Sequence, residues 1–326
     1  MPPELLTGRV VRQDAKVYHV DIGGRIVLCA PRGKLFDALD ASVKNPVSVG
    51  DLVRVDPTGD PASIEAVLPR KNWLGRTASS HDPREQVLVA NVDRLFIVGA
   101  VRRPGFSSNR TDRILAACAW SEIPAVVVLN KIDLAQEGEV EALRATYEGA
   151  GYEVLATCAL TGEGVERLGE LLAGRVSVFY GPSGAGKSSL MNALQPGLAL
   201  KVGKVSKHWE TGRHTTTHSQ LVQLDALPGG GWVIDTPGIR VFRLHGVHAR
   251  VLRDLFPEFQ RFNAACRFPN CSHDHEPDCA VFEAVEAGRI APTRYASYVE
   301  LLDEVGPPPE DDEFVAPPEG DERPES

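Results

Sequence analysis

Hydrophobic positions change rhythm twice along this chain. Residues 5 to 68 alternate apolar and polar in short runs, which predicts strands over 7–13, 16–22, 25–30, 51–56 and 64–68. Gly23-Gly24 between the second and third runs is a hairpin signal. Five short strands with little helix predict a small β-barrel, an OB-fold being the type expected. From 69 to 245 the pattern turns to continuous apolar runs at 94–101, 125–129, 176–180 and 231–234, with helical periodicity at 110–120 and 139–150. Apolar runs of that kind are buried on both faces of a parallel sheet. Alternation with helices therefore predicts a doubly wound α/β domain. Residues 246 to 305 are mostly helical in pattern around a cluster of cysteine and histidine. The predicted order is thus a β-barrel at 1–68, an α/β domain at 69–245, a mostly helical metal-binding domain at 246–305 and a tail at 306–326.

Composition changes the picture in one place. Of the net charge of −9, residues 306–326 carry −7, from eight carboxylates and one arginine, so the other 305 residues carry only −2. Six prolines accompany those charges, and the tail is too poor in apolar groups to offset the entropy of ordering. Without the tail the chain is close to neutral, neither markedly acidic nor basic. Basic residues in the barrel, among them Arg9, Arg12, Arg25, Arg32 and Lys34, are balanced by carboxylates and do not by themselves mark an RNA surface. No run reaches the roughly 18 apolar residues of a membrane span, and the first residues lack a secretion signal. These features predict a cytoplasmic protein with no membrane contact, and nothing suggests more than a monomer. Three of the six cysteines are scattered and three are clustered, which fits one metal site rather than a disulfide framework.

Two loops carry the candidate chemistry. Gly181, Pro182, Ser183, Gly184, Ala185, Gly186, Lys187 and Ser188 follow an apolar strand and precede a helical stretch opening at Ser189. Glycines let backbone N–H groups wrap phosphate oxygens, and the helix N-terminus adds positive potential. Lys187 would reach the β- and γ-phosphates, and Ser188 would ligate Mg2+. Asn130, Lys131 and Asp133 end another apolar run, where α/β proteins bind ligands. A carboxylate at Asp133 accepts two hydrogen bonds from guanine that adenine does not offer. Asn130 would support the loop, and the Lys131 stem would pack on the base. Cys158 and Ala159, with the Thr161-Gly162-Glu163-Gly164 turn, complete a base-binding segment in which the Ala159 N–H meets the guanine oxygen. The base reader precedes the phosphate loop by 51 residues, the reverse of the usual GTPase order. That inversion predicts a circular permutation.

Downstream, Asp235-Thr236-Pro237-Gly238 ends the last apolar run. Asp235 would hold Mg2+ and the Gly238 N–H would meet the γ-phosphate. Among Thr215, Thr216 and Thr217, Thr216 is the expected Mg2+ ligand in the GTP state. Position 239 is isoleucine, which cannot orient a water, so His214 is the candidate for that task. Cys266, Cys271, His273 and Cys279 supply three thiolates and an imidazole within 14 residues, a set suited to tetrahedral Zn2+ in a closed structural site. His275 is a rival for the imidazole position.

In this combination of motifs the chain resembles the circularly permuted, small ribosomal subunit-dependent GTPases (RsgA or YjeQ). The likeness covers roughly residues 5 to 300. It rests on the inverted loop order, residues 212–217, Asp235 to Gly238, the cysteine-histidine cluster and Arg32-Gly33-Lys34-Leu35 in the barrel. The resemblance implies an OB-fold, a permuted GTPase and a zinc domain. It further implies binding to the 30S subunit, a role late in its maturation, GTP hydrolysis to GDP stimulated by the subunit, and contact with 16S rRNA. Two other classes fit parts of the sequence. A P-loop ATPase or kinase is opposed by Asp133, and a non-enzymatic RNA-binding protein carrying a nucleotide is kept open by Ile239.

Overall fold

The computed structural model describes residues 4–14, 17–37, 41–79, 81–198, 220–235 and 242–307, without the side chains of Phe36, Asp37, Gln220 and Asp235. His214, Thr216, Gly238 and all but the first two residues of the acidic tail lie outside these residues.

The N-terminal strands are β1 (Leu6–Asp14), β2 (Val17–Ile22), β3 (Arg25–Pro31), β4 (Leu52–Asp56) and β5 (Ala62–Val67), with a short helix α1 (Lys34–Asp37) after β3. They close into a barrel in the order β1-β2-β3-β5-β4-β1. Val10, Val20, Val53, Val55 and Ile64 point inward at 0% exposure and fill it. Their period-2 spacing is what the alternating pattern predicts. Two strands follow that the pattern did not reveal, β6 (Trp73–Ser79) and β7 (Asp82–Ala90), which form a separate antiparallel hairpin.

The central domain is built from β8 (Arg94–Ala100), α2 (Ser108–Trp120), β9 (Ala125–Asn130), α3 (Glu139–Gly149), β10 (Glu153–Thr157), α4 (Val165–Leu172), β11 (Val176–Tyr180), α5 (Lys187–Leu194), β12 (Gln220–Gln223) and β13 (Trp232–Asp235). Sheet order is β10-β9-β8-β11-β13-β12, parallel except for β12. Successive strand residues serve opposite cores. Leu95 and Ile97 pack with α2 and α3, whereas Phe96 and Val98 pack with α4 and α5. Both faces are covered, which is the doubly wound arrangement. β1 joins this sheet by pairing with β12 through Arg12 and Gln220, so barrel and α/β sheet are continuous.

The C-terminal region holds α6 (Ala249–Leu252), α7 (Pro257–Asn263), α8 (Ala280–Glu286) and α9 (Pro292–Val305). Phe256, Phe259 and Tyr298 form its aromatic core, with ring centroids 4.9 to 5.2 Å apart. No helix among the described residues is long and apolar enough to cross a membrane.

Candidate functional site

Sheet order explains how the inverted loops meet. β9 and β11 flank β8 on either side, so the loops at their C-terminal ends lie one strand apart. Asn130 closes that gap. Its Nδ2 donates to the Ala185 carbonyl of the phosphate loop at 2.8 Å, and its Oδ1 accepts from Thr157 Oγ1 at 3.1 Å. One fully buried carboxamide thus ties together the ends of β9 and β10 and the loop after β11. Gly186 is required by this contact. A Cβ there would stand 2.2 Å from Asn130 Nδ2, and its φ of +98° is one that side chains rarely adopt.

Beside it, Asp133 lies in a single turn of helix at Ile132–Leu134, entered by Lys131 in a left-handed conformation with φ +62°. The Cys158 thiol donates to Asp133 Oδ1 at 3.1 Å, fixing one edge of the carboxylate. Cys158 is itself held by backbone bonds to Glu163 and Gly162 at 2.9 Å, which fold the 158–164 turn. Lys131 Nζ donates to the Arg103 carbonyl at 2.7 Å, and Arg103 lines, with Arg102, Pro104, Gly105 and Leu134, an open pocket of about 420 Å³. The loop after β8 was not singled out from sequence. Its signal was there, since it leaves the C-terminal end of a buried strand, where α/β ligands sit.

The phosphate loop spans the strand end and the first turn of α5. Gly184 at φ +83° and Gly186 at +98° make the curve, and a Cβ on Gly181 would meet the Val98 carbonyl at 2.2 Å. Lys187 folds back to donate to the carbonyls of Gly181, at 2.7 Å, and Pro182, at 3.3 Å. Ser183, Ser188 and Ser189 are half-buried or exposed around the same turn. The backbone of Asp235 pairs with Phe179, two residues before Gly181, so the third motif also arrives at this end of the sheet. The sheet order thus brings the Asp133 loop, the glycine-rich loop with Lys187 and the backbone of Asp235 to one end of the sheet.

A second site lies in the C-terminal region. The ligand atoms of Cys266, Cys271, His273 and Cys279 all fall within 4.8 Å of one another. His273 Nδ1 stands 3.6 Å from Cys266 Sγ and 3.5 Å from Cys279 Sγ, separations suited to a shared tetrahedral ion. Burial, with help from Arg253, pushes the His273 pKa down to about 4, which keeps its ring neutral as a ligand must be. Burial pushes the Cys271 thiol up to about 12, a cost that a bound cation would reverse. Tyr295 and Tyr298 hydroxyls donate to the carbonyls of His273, at 2.8 Å, and Ser272, at 2.5 Å, and hold His273 in a left-handed conformation with φ +62°. The donor set therefore fits a metal ion. His275 is largely exposed, pairs with Asp274, and is not in the cluster.

A model of the RsgA GTPase family matches residues 67–245. The chain is 40% identical over 301 residues to the small ribosomal subunit biogenesis GTPase RsgA of Moorella thermoacetica, covering 92% of this chain and 97% of that one. The protein of the same name from Porphyromonas gingivalis is also 40% identical, over 306 residues, with coverage of 92% and 97%. Among solved structures, YjeQ from Thermotoga maritima superposes with a TM-score of 0.72 at 36% identity, covering 93% of this chain and 99% of that one. YloQ, described as a circularly permuted GTPase, gives 0.67 at 26% identity and covers 93% and 95%.

Proposed function

This chain belongs to the RsgA GTPase family, and from that premise we propose that it hydrolyses GTP to GDP and phosphate in the maturation of the small ribosomal subunit, with turnover stimulated by the 30S particle. The observation that carries the reading is the Asn130 bridge at 2.8 Å, which supports a guanine-reading loop directly against a phosphate loop. In this reading Asp133 selects guanine, Lys131 packs on the base, and the Ala159 N–H meets the guanine oxygen. Residues 181–187 cradle the phosphates. Mg2+, held by Ser188, Thr216 and Asp235, would neutralise charge developing between the β- and γ-phosphates. The Gly238 N–H meets the γ-phosphate, and His214 orients the attacking water in place of the glutamine that Ile239 cannot replace.

The metal of the Cys266, Cys271, His273 and Cys279 site is Zn2+, because three thiolates with one neutral imidazole favour a soft-ligand tetrahedral ion. Its task is structural, since all four positions are filled by protein and none is open for a substrate water. Barrel (1–68) and zinc domain (246–305) contact 16S rRNA on either side of the GTPase domain (69–245), and the enzyme works as a monomer in the cytoplasm. The acidic tail at 306–326 has no assigned role.

The test is GTP and ATP turnover with and without purified 30S subunits. GTP should be preferred, 30S should raise the rate, and Asp133→Asn should abolish the preference for guanine. A rate indifferent to 30S would remove the ribosomal part of the reading. Equal turnover of ATP would remove the guanine part.

A further inference from the structure

The chain emerges from the Asp235 to Gly238 motif at residues 242–244, and three separate elements grip that exit. Phe242 sets its ring edge-on against Tyr180, the last residue of β11, with centroids 6.4 Å apart and planes at 82°. The hairpin holds the next two residues. The Thr77 N–H donates to the Arg243 carbonyl at 3.3 Å, and Thr77 Oγ1 donates to the Leu244 carbonyl at 3.4 Å. From α2, Arg113 Nη1 donates to the Phe242 carbonyl at 3.3 Å.

The same Arg113 nitrogen reaches both carboxylate oxygens of Glu304 on α9 at 2.6 Å. One turn away, Asn109 donates to Glu300 at 2.5 Å, so two successive turns of α2 and α9 are fastened together. A charged carboxylate is the stronger acceptor for a guanidinium, and the carbonyl bond is the longer one. The grip on Phe242 therefore depends on where α9 holds the guanidinium. The Arg113 side chain is 17% exposed and that of Glu304 36%, so the guanidinium is the more sheltered partner of the pair.

We propose that Arg113 is a positioning residue for GTP hydrolysis, which sets the exit of the Asp235 to Gly238 segment and makes it answer to α9 and the metal-binding region beyond. It touches no nucleotide and acts through the Phe242 backbone. The inference rests on the reading above, in which Gly238 meets the γ-phosphate. Small misplacements of such a segment slow chemistry by up to about a hundredfold without comparable loss of binding.

The experiment measures single-turnover GTP hydrolysis and GTP affinity, with and without 30S subunits, for the full chain and for Arg113→Met, Arg113→Lys and Glu304→Gln. Arg113→Met should slow hydrolysis about tenfold, as expected for a misplaced catalytic segment, with GTP affinity within about twofold of the parent. Arg113→Lys should recover part of the rate, since an ammonium keeps the charge and three donors but not the planar fork of the guanidinium. Glu304→Gln, at a partly exposed carboxylate, should change the factor by which 30S stimulates turnover and leave GTP affinity alone. Arg113→Met hydrolysing at the parental rate, or losing activity only through weaker GTP binding, overturns the proposal. Should that variant fail to fold, Glu304→Gln decides, and an unchanged stimulation factor counts against it. A parent protein that 30S does not stimulate refutes the ribosomal reading instead. The basal rate of Arg113→Met then still decides the role of Arg113.

Discussion

Arg294 and Asp112 meet at 2.7 Å with their side chains 1% and 0% exposed. The other edge of the guanidinium is taken by Glu258, at 2.7 and 3.0 Å, and its face lies 4.6 Å from the centre of the Phe256 ring. Asp112 comes from α2 of the α/β domain, whereas Glu258 and Arg294 come from α7 and α9. Asp112 thus meets its cation only when the two regions are docked.

Removing one partner from such a group is costly, because the remaining charges stay buried. Arg294→Met strands two carboxylates and should destabilise the chain by about 3–5 kcal/mol, seen as a lower urea midpoint. Asp112→Asn keeps the shape and one acceptor and should cost less. Since the group is withdrawn from solvent, 1 M salt should not erase the difference between the variants. A midpoint unchanged in Arg294→Met would show that the docking does not depend on this ion pair.

Cys158 places a thiol 3.1 Å from the carboxylate of Asp133. A thiol is a weak donor, so its bond to Asp133 contributes about 0.5–1.5 kcal/mol. Cys158→Ala should therefore weaken GDP binding by a few-fold, up to about tenfold, whereas Cys158→Ser, which keeps a donor, should stay near the parent. Titration with a fluorescent guanine nucleotide measures both. Equal affinity for the alanine and serine variants would assign Asp133 another source of order.

Gly186→Ala tests the joint between the two loops. Its Cβ cannot coexist with Asn130 Nδ2 at 2.2 Å, so the Asn130–Ala185 bond must break or the loop must shift. Strain of this kind costs about 1–3 kcal/mol, and GTP affinity should fall by a comparable factor. Unfolding of the C-terminal region should be unaffected, which separates a local effect from general misfolding.

Metal removal should act in the opposite place. Chelation with EDTA or a zinc-specific chelator should release about one equivalent of Zn2+ and loosen residues 266–279, leaving nucleotide binding by the α/β domain largely intact. The metal-free form should also be acid-sensitive. Folded His273 resists protonation down to about pH 4, while the unfolded ring takes a proton near 6.5. The unfolded state then binds more protons in that window, so the stability contributed by the neutral ring is present above about pH 6.5 and is lost as pH falls toward 4. Thermal melts of the chelated protein at pH 7.5 and pH 5 would register it.

Much of the architecture was legible because its signals are local. Barrel strands follow period-2 alternation, the buried sheet follows continuous apolar runs, and the glycines at 184 and 186 mark a curve that only small residues allow. The cysteine-histidine cluster was legible for the same reason, since all four donors lie within 14 residues. The hairpin of β6 and β7 has no such local signal. Residues 80 and 81 between the two strands are Ser-His in the sequence and give no Asn-Gly or Asp-Gly signal, and bulges at two points break the alternation.

The amino-acid sequence by itself determined which chemical groups this protein carries, their inverted order, and the elements that bear them. Only tertiary structure decided which groups face one another. Arg294 and Asp112 are 182 residues apart, and each reads along its own helix as an ordinary charge for water. Arg113 likewise reads as a surface cation until α9 brings Glu304 to it. Periodicity records which side of an element is buried, whereas partner choice arises when two distant elements dock and exclude water from charges that must then satisfy each other.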